Sequence, residues 1–81
     1  MVETLKDNNK LVRREASTAL SRMGEPAVDP LIETLADEDW NIRGAAAWAL
    51  GNIGDEKAIP ELENLLDDES GFVKQVAQSA I

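Results

Sequence analysis

The sequence predicts an all-α fold: an α–α superhelix of about three antiparallel helical hairpins, forming a single domain over residues 1–81. Three observations lead there. The chain repeats itself at a spacing of 30 and then 31 residues. Its apolar residues recur at helical spacing and never alternate as in a strand. A cap-forming residue precedes each long apolar stripe, and glycine follows the first two.

Repetition comes first because it decides the architecture. Residues 1–24 laid over 31–54 give nine identities in 24 pairs, among them Leu5/Leu35, Asp7/Asp37, Arg13/Arg43, Leu20/Leu50 and Gly24/Gly54. Residues 27–50 laid over 58–81 give seven in 24, among them Leu31/Leu62, Asp37/Asp68, Ala46/Ala77 and Ala49/Ala80. The extra residue falls where Gly24-Glu25-Pro26-Ala27 becomes Gly54-Asp55-Glu56-Lys57-Ala58, a loop that tolerates it. The repeats therefore run over about 1–24, 25–54 and 55–81.

Each repeat reads as a short helix and a long one. Short helices are expected near 1–6, 28–36 and 59–67, and long ones near 9–23, 40–53 and 70–81. In the middle long helix, Ile42, Ala46, Ala49, Leu50 and Ile53 share one face. Val12, Ala16, Ala19, Leu20 and Met23 copy that stripe, as do Val73, Ala77, Ala80 and Ile81. The alanines allow neighbouring helices to approach closely. Asn9, Asp39 and Ser70 fill the N-cap column, and Gly24 and Gly54 fill the place of a left-handed C-terminal cap. The short helices carry Leu31, Ile32 and Leu35, then Leu62, Leu65 and Leu66. Pro30 and Pro60 stand at their starts, where a missing amide costs least. The chain starts inside a short helix and stops inside a long one, without a visible polar capping repeat. That predicts apolar surface at both ends and possible self-association.

Composition narrows the chemistry. The chain has no cysteine and no histidine, which removes thiolate and imidazole catalysis and the usual metal ligands. No cofactor and no metal site are expected. The longest apolar run, Ala45 to Leu50, is too short for a bilayer, and residues 1–7 lack a signal-peptide pattern. A cytoplasmic protein without membrane partners is the expectation. The net charge of −8 argues against generic nucleic-acid binding. The charge is uneven, however. Residues 1–23 hold Lys6, Lys10, Arg13, Arg14 and Arg22 against three acids, while residues 24–81 hold three cations against thirteen acids.

Val12-Arg13-Arg14-Glu15-Ala16, Ile42-Arg43-Gly44-Ala45-Ala46 and Ala49-Leu50-Gly51-Asn52-Ile53-Gly54 resemble the short HEAT repeats named from the phycobilisome lyase subunits. Ala27-Val28-Asp29-Pro30-Leu31-Ile32 and Ala58-Ile59-Pro60-Glu61-Leu62 resemble the first helix of that unit. The resemblance spans the chain and extends to small archaeal proteins without assigned activity and to designed binding scaffolds. It implies a HEAT/armadillo-like solenoid whose long helices line a concave face. Contact positions implied there are Lys10, Leu11, Arg14, Thr18 and Arg22, then Trp40, Asn41, Gly44, Trp48 and Asn52, then Gly71, Phe72, Gln75 and Ser79. The family also implies an Asp–Arg ladder between hairpins, carried here by Asp7–Arg13, Asp37–Arg43 and Asp68–Lys74.

Trp48 is the most informative candidate, because its counterparts are Thr18 and Ser79. It reads as a partner anchor or as a plate packed on Arg14. Trp40 reads as a second anchor or as a cover for the turn. Gly44, one turn before Trp48, reads as a notch beside the indole or as a tolerated helix glycine. Phe72 extends an apolar strip or is simply exposed. Lys10, Arg14 and Arg22 suit an acidic partner or a phosphate, against the simpler reading of a solvated face. The acidic runs 37–39 and 67–69 lack a calcium-loop pattern. These residues favour a non-enzymatic scaffold binding a protein or peptide. The alternatives are an accessory subunit of a lyase-type enzyme and a nucleic-acid accessory domain acting through the basic first repeat.

Overall fold

Asn9, Asp39 and Ser70 each start a long helix, and the bonds they make explain where those helices begin. Asn9 Oδ1 accepts from the amides of Leu11 at 2.8 Å and Val12 at 3.4 Å. Asp39 Oδ1 accepts from Asn41 at 2.8 Å, and Ser70 Oγ from Val73 at 3.3 Å. In the computed structural model, which describes residues 2–81, the helices they open are α1 (Lys10–Met23), α3 (Trp40–Ile53) and α5 (Gly71–Ala80). The short helices are α2 (Val28–Thr34) and α4 (Ile59–Asn64), the latter running into a 3-10 turn at Leu65–Asp67. The first short helix is a 3-10 segment, Val2–Lys6; residue 1 of that expected helix lies outside the described residues. There is no strand among the described residues, so the all-α solenoid expectation stands.

The aspartate column adds a second layer of capping. Asp7, Asp37 and Asp68 accept through Oδ1 from the amides of Asn9, Asp39 and Ser70 at 2.7, 2.9 and 2.8 Å. Each inter-helix turn is thus closed by one side chain and each long helix by the next. At the other end, Gly54 is left-handed (φ 74°, ψ 21°) and its amide reaches Leu50 O at 3.0 Å. Gly24 also has positive φ, but its ψ of −138° leaves the left-handed helical region. The shorter loop is the reason. Asp55 follows Gly54 and caps the next 3-10 turn, whereas Gly24 must serve as C-cap and N-cap at once. Only glycine adopts that backbone at low cost.

The long helices form one layer, with α3 packed against both α1 and α5, and the short segments form the other. Leu5, Leu20, Val28, Leu31, Leu50, Leu62 and Val73 are fully buried between them. Ala46 and Ala49 are both 0% exposed while Trp48 is 44% exposed, so the alanine stripe faces inward and the indole outward. The stripes fade at their ends. Met23 and Ile81 are exposed, at 44% and 50%.

Ser17, Thr34 and Ala47 are among the buried positions that escape the stripe pattern. Ser17 and Thr34 are polar yet buried, and each hydroxyl donates to a carbonyl one turn back, Ser17 to Arg13 O at 2.9 Å and Thr34 to Pro30 O at 2.8 Å. That spends the hydroxyl locally and leaves an apolar methylene or methyl for the core. Ala47 is fully buried where α1 has Ser17, but the same column of α5 holds exposed Gln78.

Candidate functional site

The site is the wall formed by the outward columns of α1, α3 and α5. Its apolar part lies between α3 and α5. Trp48, Gly51, Asn52, Phe72, Gln75, Val76, Ser79 and Ala80 line an open groove of about 420 Å³. Five of the expected contact residues, Trp48, Asn52, Phe72, Gln75 and Ser79, meet in it. Gly51 lets α5 come close to α3 beside the groove: a methyl group there would stand 2.7 Å from Ala80 Cβ and 2.8 Å from its Cα.

Gly44 requires a correction. The expected notch beside Trp48 is not open, because Gly44 is buried and the Phe72 ring lies over it. A methyl group at Gly44 would overlap that ring. Phe72 is in turn met by Trp40, with ring centroids 5.6 Å apart and planes at 74°, an edge-to-face pair. Trp40 and Phe72 are still 48% and 47% exposed. The glycine, the phenyl ring and the indole thus form one stack across two repeats. The sequence signal was present, since Gly44 and Phe72 both depart from their columns, but they stand in different repeats.

The expected plate of Arg14 on Trp48 does not form, as no cation–π contact to Trp48 is made among the described residues. Arg14 instead lines a second open groove along α1 with Leu11, Glu15, Thr18, Ala19 and Arg22. Leu11 is 68% exposed there. Thr18 Oγ1 donates to Arg14 O at 3.0 Å, and Asn52 Nδ2 to Trp48 O at 3.1 Å, so both polar side chains lean on their own helices. Lys10 and Asn41 sit in the first turns of α1 and α3, outside both grooves.

The ladder differs from the expected pairing. Within a repeat, arginine meets the backbone of its aspartate, not the carboxylate. Arg13 Nη1 donates to Asp7 O at 2.9 Å and Asn8 O at 3.0 Å, and Arg43 Nη1 to Asp37 O at 2.8 Å and Glu38 O at 2.9 Å. The carboxylate comes from the next repeat: Arg43 Nε and Nη2 donate to Asp68 Oδ2 and Oδ1 at 2.9 and 3.0 Å. That bond, with the Ser70 amide, holds the Asp68 carboxyl below the usual carboxylate range against the opposing effect of burial. Asp37 instead faces Lys6 at 3.6 Å. Lys6 has Ala36 and Asp67 as counterparts, so only the first repeat offers a lysine that competes for this carboxylate. Lys74 makes no ion pair among the described residues. Arg43 and Asp68 thus join the second repeat to the third, while Asp7 and Arg13 close their own turn.

No group of three or more histidine, cysteine, aspartate or glutamate side chains suited to a metal is formed among the described residues. No helix there is long and apolar enough to cross a membrane. No curated protein matches the chain. A family model described as HEAT repeats matches residues 1–81. Two layers of helices, a 30- to 31-residue period and a family match over the whole length lead to one conclusion: the chain belongs to the HEAT-repeat family.

Proposed function

We propose that the chain is a non-enzymatic, cytoplasmic scaffold that binds a protein or peptide on the wall of α1, α3 and α5. The observation that carries this reading is the exposure of Leu11, Trp40, Trp48 and Phe72 on that wall. Large apolar side chains clustered in water lose the burial that a partner would restore, and aromatic residues are the commonest anchors of such contacts. Trp48 is the central anchor, with Asn52, Gln75 and Ser79 supplying polar contacts around it. The repeat architecture supports the reading too, because a solenoid presents an extended surface on its long helices.

The chain immobilised on resin should retain a partner that Trp48→Ala loses, while the variant keeps its helical circular dichroism and melting temperature. Retention undiminished by that substitution would overturn the assignment. An accessory role beside a lyase-type enzyme, or in nucleic-acid binding through the basic first repeat, draws less support. The net charge of −8 repels a polyanion, and neither groove carries more than two cations. Self-association through the ends of the solenoid is a separate proposal, which a concentration-independent monomer mass in light scattering would end.

A further inference from the structure

The charge of the wall is opposite to that of the molecule. The chain holds sixteen carboxylates, yet only one, Glu15, lines either groove. The α3–α5 groove has no charged lining at all. The α1 groove has Arg14 and Arg22, and neither makes an ion pair among the described residues. Lys10 lies outside the groove, one turn before Arg14 at the start of α1, where the positive helix end disfavours a cation, so helix stability does not account for it.

The two grooves open on the same side of the solenoid. Leu11, Arg14, Glu15, Thr18 and Ala19 of the first groove are the repeat counterparts of Phe72, Gln75, Val76, Ser79 and Ala80 in the second, five matches out of five. Helices α1 and α5 therefore present the same face. One ligand lying across the helices meets cations at α1 and an apolar slot between α3 and α5. In the second groove this face of α5 is turned toward α3, so on α1 it lies on the side away from α3, and the two grooves are about two helix spacings apart, at about 8–10 Å each. An extended peptide, rising about 3.3 Å per residue, crosses that distance in roughly five to six residues.

We propose that the wall binds an acidic peptide whose one bulky apolar residue enters the slot beside Trp48 while carboxylates about five to six residues away meet Arg14, Arg22 and Lys10. The inference rests on the reading of the wall as a binding surface. A peptide fits better than a single-stranded nucleic acid. Two or three carboxylates match three cations, whereas a charge on every nucleotide would meet the acidic remainder of the chain.

The probe is a phage-displayed library of random 12-residue peptides, selected on the immobilised chain in parallel with a fluorescent oligothymidine. Selected peptides should carry aspartate or glutamate about five to six positions from a tryptophan, phenylalanine or leucine. Their affinity should fall about tenfold with Arg14→Glu plus Arg22→Glu, less with the milder Arg14→Gln plus Arg22→Gln, and also with added salt. Both residues are exposed, and circular dichroism checks that each variant stays folded. Peptides without acidic residues, or indifferent to the charge changes yet lost with Trp48→Ala, overturn this inference and leave the wall intact as a binding surface. Peptides indifferent to Trp48→Ala overturn both. Recovery of no peptide, or oligothymidine binding tighter than any peptide, overturns the acidic-peptide assignment.

Discussion

Arg43 and Asp68, 25 residues apart, are joined by two parallel hydrogen bonds of 2.9 and 3.0 Å, Nε to Oδ2 and Nη2 to Oδ1. The side chains are 14% and 8% exposed. The same guanidinium holds two carbonyls of the turn before α3, and the same carboxylate holds the Ser70 amide at the start of α5. One ion pair thus ties the turns of two repeats.

Asp68→Ala removes the carboxylate from both the guanidinium and the amide. A charge-assisted bond to a shielded group contributes about 1.5–3 kcal/mol. Urea denaturation should show a loss in about that range. Arg43→Lys keeps the charge but not the fork, and should cost about 1 kcal/mol. Equal stability of Asp68→Ala and wild type would show the rung to be energetically idle.

The pair also sets an acid limit. The Arg43 hydrogen bond is the first cause of the lowered Asp68 pKa, with the Ser70 amide helping and burial opposing. A carboxyl whose folded pKa lies below its unfolded one, about 3.9, stabilises the fold fully above that value. The contribution is lost as pH falls through the folded pKa. Arg43 stays protonated throughout, its pKa being raised further by the same bond. Melting temperatures should therefore fall below about pH 4 more steeply for wild type than for Asp68→Asn. Parallel curves would contradict this.

Two glycines in α3 should respond differently to alanine. At Gly51 the new methyl meets Ala80 Cα, so a whole helix must move, and a loss of about 1–3 kcal/mol is expected. At Gly44 it meets the outer edge of the Phe72 ring, which has a half-exposed side chain free to swing away. The helix-propensity gain of about 1 kcal/mol then offsets the lost ring contact, leaving stability nearly unchanged. The indole fluorescence of Trp40, which loses its ring partner, should shift. Gly44→Ala as damaging as Gly51→Ala would mean that Phe72 is held more firmly than its exposure implies.

Trp48 and Leu50 separate surface from core. Leu50 is 1% exposed, and Leu50→Ala should cost about 2–5 kcal/mol. Trp48 is 44% exposed, and Trp48→Ala should cost less than about 1 kcal/mol, as surface substitutions commonly do. A Trp48→Ala loss comparable to that of Leu50→Ala would make the indole a structural residue and remove the case for an anchor.

The elements of the fold were legible because each rests on local signals. Asn9, Asp39 and Ser70 cap as residues of their type do, and the alanine column goes inward because helical spacing leaves it no other side. The wall was legible only as a set of columns. That Phe72 fills the space above Gly44, and that Ser17, Thr34 and Ala47 are buried, depends on neighbours far along the chain. Gln78 stands in the same column as buried Ala47 and is exposed, so the column alone did not decide burial.

By itself the amino-acid order determined three copies of a helix pair, where each helix starts, and which face of it is apolar. Those follow from hydrogen bonds and side-chain repeats within a few residues. Tertiary structure alone decided which aspartate meets Arg43, which ring covers Gly44 and which columns join into grooves. Such pairings depend on how closely two helices approach and how they are turned, and that is set by the volumes of side chains on both at once.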